Sequence, residues 1–112
     1  MTKAQRLRLV HDVGKYVART ARNLPTQPTA EMVAMLVQDL FELRPGRRAS
    51  SVLAELAADA SDEPPLADAR LLLAEADSLE AAVRRGEPAA VARAAALALR
   101  VERRLRALLE AT

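Results

Sequence analysis

His11 is the only histidine in a 112-residue chain that contains no cysteine and no tryptophan. It lies in the stretch Leu9-Val10-His11-Asp12-Val13-Gly14-Lys15-Tyr16, where three neighbours bear on imidazole chemistry. An imidazole changes charge near neutral pH and can carry a proton or act as a nucleophile. Asp12 can orient the ring or raise its basicity, and Lys15, one helical turn on, can offset negative charge on a transferred group. Gly14 removes side-chain bulk from the same surface, although alanine would be cheaper in a helix by about 1 kcal/mol. The bare backbone would let a partner side chain come close. These residue types at this spacing suit phosphoryl exchange, with His11, Asp12 and Lys15 as the candidate catalytic residues. Such chemistry asks mainly for positioning, so a small bundle suffices. The plainer alternative is a solvated or hydrogen-bonded histidine at the edge of the core, with Gly14 allowing a close helix crossing.

Other chemistry is largely excluded. Without cysteine there is no disulfide, thiol nucleophile or thiolate-bound metal. A single histidine excludes a multi-histidine metal site within one chain, so no metal and no cofactor is expected. Asp59, Asp62, Glu63 and Asp68 gather around the turn at 61–65 but lack calcium-loop spacing and its glycine; helix-start acids explain them. Gly46 with Arg47, Arg48, Ser50 and Ser51 makes a basic, anion-compatible loop. Met32 and Met35 stand beside Leu36 and Phe41, where they either pack in the core or form a docking face for another protein. Candidate partner contacts are thus Arg8, Gly14, Arg19, Met32 and Met35.

The elements that position these residues are helices. Alanine and leucine make up 43 of the 112 residues, and aromatics only 2%. The periodicity predicts an all-α fold in a single domain over residues 1–112. The first helix covers roughly 3–24, with Leu7, Val10, Gly14, Val17, Ala21 and Leu24 in one stripe, ended by Asn23-Leu24-Pro25. Thr29 caps a second helix over 30–43, with Val33, Leu36, Val37, Leu40 and Leu43 inward. Arg44-Pro45-Gly46 reads as a turn, followed by a short helix over 49–60 using Val52, Leu53, Leu56 and Ala57. A fourth helix over 65–85 buries Ala69, Leu72, Ala76, Leu79 and Val83. Gly86 ends it, and Pro88 opens a fifth carrying Val91, Ala94, Ala98, Val101, Leu105 and Leu108. The expected architecture is a compact bundle of four long or medium helices plus a short one, closed by a C-terminal antiparallel hairpin of the last two. Alanine buries little area per residue, so a homodimer that completes the core is a further expectation.

Charge is unevenly distributed although the net value is only +2. Residues 1–24 carry six bases and one acid, 25–83 four bases and eleven acids, and 84–112 seven bases and three acids. Basic ends therefore flank an acidic middle. They can pair with it, or present an acidic or phosphorylated partner with a complementary surface. Nucleic acid is a poor fit, because no helix-turn-helix signature and no aromatic interleaving accompany the arginines. No stretch reaches the roughly 18 apolar residues of a membrane span, and the expected location is cytoplasmic.

The segment His11-Asp12-Val13-Gly14-Lys15-Tyr16 resembles the phosphoacceptor box of histidine kinase dimerisation and phosphotransfer domains. That likeness implies His11 as phosphoacceptor and Asp12 as its acid/base neighbour. The proline common after that box is absent. Histidine phosphotransfer domains are a second comparison, although they place lysine before glycine, whereas this chain has Gly14 then Lys15. His11-Asp12 also resembles the central signature of HD-type metal-dependent phosphohydrolases, which require further histidines that this chain lacks. Nothing resembles nucleotide-binding boxes, so no autonomous kinase activity is expected. The leading expectation is a small signalling adaptor or regulatory protein acting through protein–protein interaction. The alternatives are a histidine phosphotransfer protein exchanging a phosphoryl group between His11 and a response-regulator aspartate, and a structural protein that forms helical oligomers. The expected partner is another protein, a response regulator or kinase among them.

Overall fold

Helix begins in the basic N-terminal stretch: residues 4, 5, 8 and 10–15 are helical (α1), and Val10 and Val13 are both buried. The structure, a computed structural model, describes residues 4, 5, 8, 10–15, 29–42, 48–59 and 64–110, with side-chain burial for these except 56–59 and 108–109. Several expectations lie outside the described residues: the run of the first helix to 24, its stop at Asn23–Pro25, Leu43, the Arg44-Pro45-Gly46 turn and the acids at 62–63. The burial expected of Leu56, Ala57 and Leu108 lies outside them too.

The second helix, α2, spans Ala30–Leu36. Thr29 caps it as its sequence position predicts: Oγ1 accepts a hydrogen bond from the Met32 N–H at 3.1 Å, and the Thr29 carbonyl accepts one from the Val33 N–H at 3.0 Å. Beyond Leu36 the chain does not continue as the α-helix expected to residue 43. It widens into a π-helix over Val37–Glu42. Five-residue spacing then sets the inward face, so Leu36 and Phe41 are both buried, with Leu40 and Asp39 between them. Val33 and Val37, expected on the buried face, only pack against the core from its edge. Burying the sole phenylalanine outweighs the poorer hydrogen-bond geometry of the wider turn, and a 3.6-residue periodicity cannot anticipate that exchange.

Arg48 precedes α3 (Ala49–Asp59), and its carbonyl accepts from the Val52 N–H at 3.1 Å. Ala49, Val52 and Leu53 are buried. Next, α4 runs over Pro64–Ser78, with both prolines in the first turn, where their missing N–H groups are not needed. It stops at Ser78, whose hydroxyl donates to the Glu75 carbonyl at 2.6 Å. The Leu79 N–H turns to the Ala76 carbonyl at 3.0 Å, a tightened three-residue link, and α5 (Glu80–Arg84) starts afresh. Gly86 closes α5 with φ +73°: its N–H donates to the Val83 carbonyl and the Glu87 N–H to the Ala82 carbonyl. This paired arrangement satisfies the last carbonyls and favours glycine. The last helix, α6, spans Pro88–Glu110.

The expected five-helix bundle with a C-terminal two-helix hairpin is therefore corrected. Six α-helical segments are present among the described residues, with no β-strand. The region expected as one helix over 65–85 is two elements, α4 and α5, so the C-terminal part is a three-element unit and not a hairpin. The Ser78 hydroxyl and the link at Leu79 interrupt a stripe that reads as continuous in the sequence. A single hydrophobic cluster, reaching from Val10 to Leu105, draws on every segment. Its axis is α6, where Val91, Ala94, Ala95, Leu97, Ala98, Val101 and Leu105 are buried, a band wider than the narrow stripe expected. The small alanines let neighbours pack close on more than one side of this helix.

Candidate functional site

Two basic helices meet where α1 lies against the C-terminal half of α6. Val10 and Val13 anchor α1 in the core, which leaves His11, Gly14 and Lys15 on its outer side. In α6, Val101 and Leu105 point inward and carry Glu102 with them; its side chain is only 10% exposed. Arg106, one turn on, donates to the Glu102 carboxylate, a same-face pair at i,i+4 that offsets the cost of burying the acid. Between the helices runs a groove of about 220 Å³ lined by His11, Gly14, Lys15, Glu102, Leu105 and Arg106.

The His11 side chain is 69% exposed, and its Nδ1 lies 3.8 Å from the Asp12 carboxylate. That distance is beyond a hydrogen bond, so Asp12 flanks the ring without fixing its orientation. A Cβ built on Gly14 would stand 3.9 Å from the Leu105 Cβ, an ordinary contact. Glycine is thus not required for the helices to cross. Its effect is to keep the groove open.

Three predicted residues, His11, Gly14 and Lys15, come together in this groove, with Asp12 adjoining. Arg8 is exposed on the same helix but does not line the groove. Arg19 lies outside the described residues. Of the two uses read for Met32, core packing is the one found: it is 3% exposed within the hydrophobic cluster, so its place among the candidate partner contacts is corrected. Met35 is half-buried. The opposite wall of the groove, Glu102, Leu105 and Arg106, was not singled out from the sequence. A signal was present there, since an acid directly beside the buried stripe with arginine four residues later is a readable pair.

A second constellation holds Arg48, which the sequence places in a candidate anion-binding loop. Its guanidinium instead donates to Glu80 at 2.5 Å and to Asp77 at 3.2 Å, and lies 5.5 Å from the centre of the Phe41 ring. Arg84 bridges Glu80 and Glu42, at 3.0 Å each. The hydrogen bond from Arg48, then that from Arg84, holds the Glu80 carboxyl below its ordinary value against the opposing effect of burial. The pKa of both arginines is raised, that of Arg48 chiefly by its bond to Glu80 and that of Arg84 chiefly by its bond to Glu42 and then by that to Glu80. This network ties the π-helix, the start of α3, the end of α4 and α5 together, and it leaves Arg48 committed to acids of its own chain. Elsewhere Arg93 pairs with Glu75 and Arg104 with Asp68, joining α6 to α4.

Among the described residues no three His, Asp or Glu side chains stand together as a metal site, and no helix is long and apolar enough to cross a membrane. No protein-family model, no curated protein and no solved structure matches the chain.

Proposed function

We propose that this chain is a small regulatory adaptor that works by protein–protein interaction, with the α1/α6 groove as its docking face. The observation that carries the reading is the convergence of His11, Lys15 and Arg106 on one groove at the junction of the two basic helices. Arg48, Arg84 and Arg93 are engaged by acids of the same chain, whereas Arg106, although paired with Glu102, keeps a side chain 61% exposed. The groove cations stand at an open surface, where an acidic partner gains both attraction and faster encounter. The test is co-purification from source cells with the wild type, the double variant Lys15→Glu/Arg106→Glu, and the control Arg70→Glu on the exposed side of α4. A partner retained by the wild type and the control but lost by the double variant is the expected result. Identical recovery with all three proteins removes the groove as the docking face.

The exposure of His11 favours a second reading, histidine phosphotransfer. In that reaction the imidazole attacks the phosphorus of a response-regulator aspartyl phosphate; the P–N bond forms as the acyl P–O bond breaks, and the aspartate leaves as carboxylate. Lys15 would offset charge on the phosphoryl group, and Asp12 would support the imidazolium. Incubation with a phosphorylated regulator should label the chain with an acid-labile phosphate that His11→Gln abolishes. Absence of label in the wild type rules this reading out and leaves the adaptor reading intact.

A further inference from the structure

We infer that the α1/α6 groove recognises a phosphoryl group carried on a side chain of the partner protein; the inference rests on the adaptor reading and specifies its chemistry. Lys15 and Arg106 contribute permanent positive charge and eight N–H donors with no acceptor. His11 adds one further cation when protonated. Glu102 is the one acid lining the groove, and it is nearly buried and already accepts from Arg106. One carboxylate cannot use all five donors of a guanidinium, so Arg106, 61% exposed, keeps donors for a second oxyanion.

The remaining lining does not compete for that anion. Gly14 contributes no side chain, and Leu105 supplies an apolar floor that lowers the local dielectric. Charge then selects the ligand class. Lys15 and Arg106 outweigh Glu102, so the groove is net positive, and their donors outnumber what the two oxygens of a carboxylate can accept. The three terminal oxygens and the charge of about −1.5 to −2 of a phosphomonoester match them better. Size narrows it further. At about 220 Å³ the groove falls below the roughly 300–1,000 Å³ of sites that enclose a drug-sized molecule. It fits an oxyanion and a short stem, and a nucleotide would overfill it. An open groove also suits a side chain presented by a partner better than a metabolite that must be sealed from water.

The experiment is a titration of isotope-labelled full-length protein, followed by NMR at the His11 ring and the amides of Gly14, Lys15, Leu105 and Arg106. The probes are inorganic phosphate and three peptides of one sequence carrying serine, glutamate or phosphoserine at the central position. Saturable shifts confined to the groove are expected with phosphate and with the phosphoserine peptide. Lys15→Gln, an exposed position that leaves the core untouched, should weaken phosphopeptide binding about tenfold, the loss of one charge-assisted hydrogen bond. Arg70→Gln should leave it unchanged. Equal affinity for the glutamate peptide, shifts scattered over exposed arginines, or full affinity in Lys15→Gln each overturns the inference. Binding of inorganic phosphate without the phosphopeptide overturns the partner-borne source. A co-purifying partner that depends on the groove but survives phosphatase treatment overturns this inference and leaves the adaptor reading standing. Phosphopeptide binding at the groove with no groove-dependent partner overturns the adaptor reading and, with it, the partner-borne source of the phosphoryl group.

Discussion

At Gly14 the chain forgoes helix stability where packing does not demand it. A methyl group there would meet Leu105 at 3.9 Å, so Gly14→Ala should raise stability by about 0.5–1 kcal/mol, read as a higher urea midpoint. The same methyl narrows the groove and should weaken oxyanion binding. Stability and binding are thus expected to move in opposite directions, and a variant that loses both contradicts the assignment of Gly14 to the groove. Arg106 has a different role, since it is the counter-charge of a nearly buried acid. Arg106→Ala should cost about 1 kcal/mol in chemical denaturation, the screening of an exposed guanidinium keeping the figure low. Arg103→Ala, on the exposed side of the same helix, should fall within about 0.5 kcal/mol of the wild type. The sequence marked His11, Gly14 and Lys15 because they are close in the chain. It did not mark Glu102 and Arg106 as their neighbours, because only the docking of α6 on α1 brings the two segments together.

Local stops and starts governed by backbone chemistry read well from the sequence. Thr29 as a cap, Gly86 as a left-handed terminator and Pro88 as a first-turn residue all depend on a few adjacent atoms. Gly86→Ala should therefore destabilise by about 1 kcal/mol through backbone strain alone, because φ is +73° and nothing lies within 4 Å of the added methyl. Gly86→Asn should cost less, as asparagine tolerates that conformation, and equal losses in thermal or urea melts would contradict a purely conformational cause. The elements the sequence did not foresee are the π-helix at Val37–Glu42 and the break at Leu79. Both interrupt stripes that continue in the sequence. Both also sit where the Arg48 and Arg84 network gathers four segments, and the positions of those acids depend on the packing of distant elements.

At the scale of the molecule, that network makes stability depend on pH. Glu80 has a folded pKa below the ordinary 4.5, so it contributes stability that is fully present above that value and is lost as pH falls through the folded pKa. Unfolding followed from pH 7 down to pH 2 should show that loss beginning below about pH 4.5. Glu80→Gln should be less stable than the wild type at pH 7 and should flatten the curve in the acid range. An unchanged profile would mean the network does not contribute in solution. The radius of gyration, 13.4 Å, is close to the roughly 13 Å of a compact domain of about this size. Leu71, 71% exposed on α4, is an exposed large hydrophobic side chain lying outside that packing. Composition and 3.6-residue periodicity determined by themselves that the chain is helical and where most helices start and stop, because propensity, caps and turns act over a few residues. Tertiary structure alone decided that Met32 is buried, that the chain widens at Val37 and breaks at Leu79, and that an acid and an arginine of α6 complete a groove around Gly14. Those outcomes depend on which side chains compete for one shared core, and that competition couples residues up to about ninety positions apart.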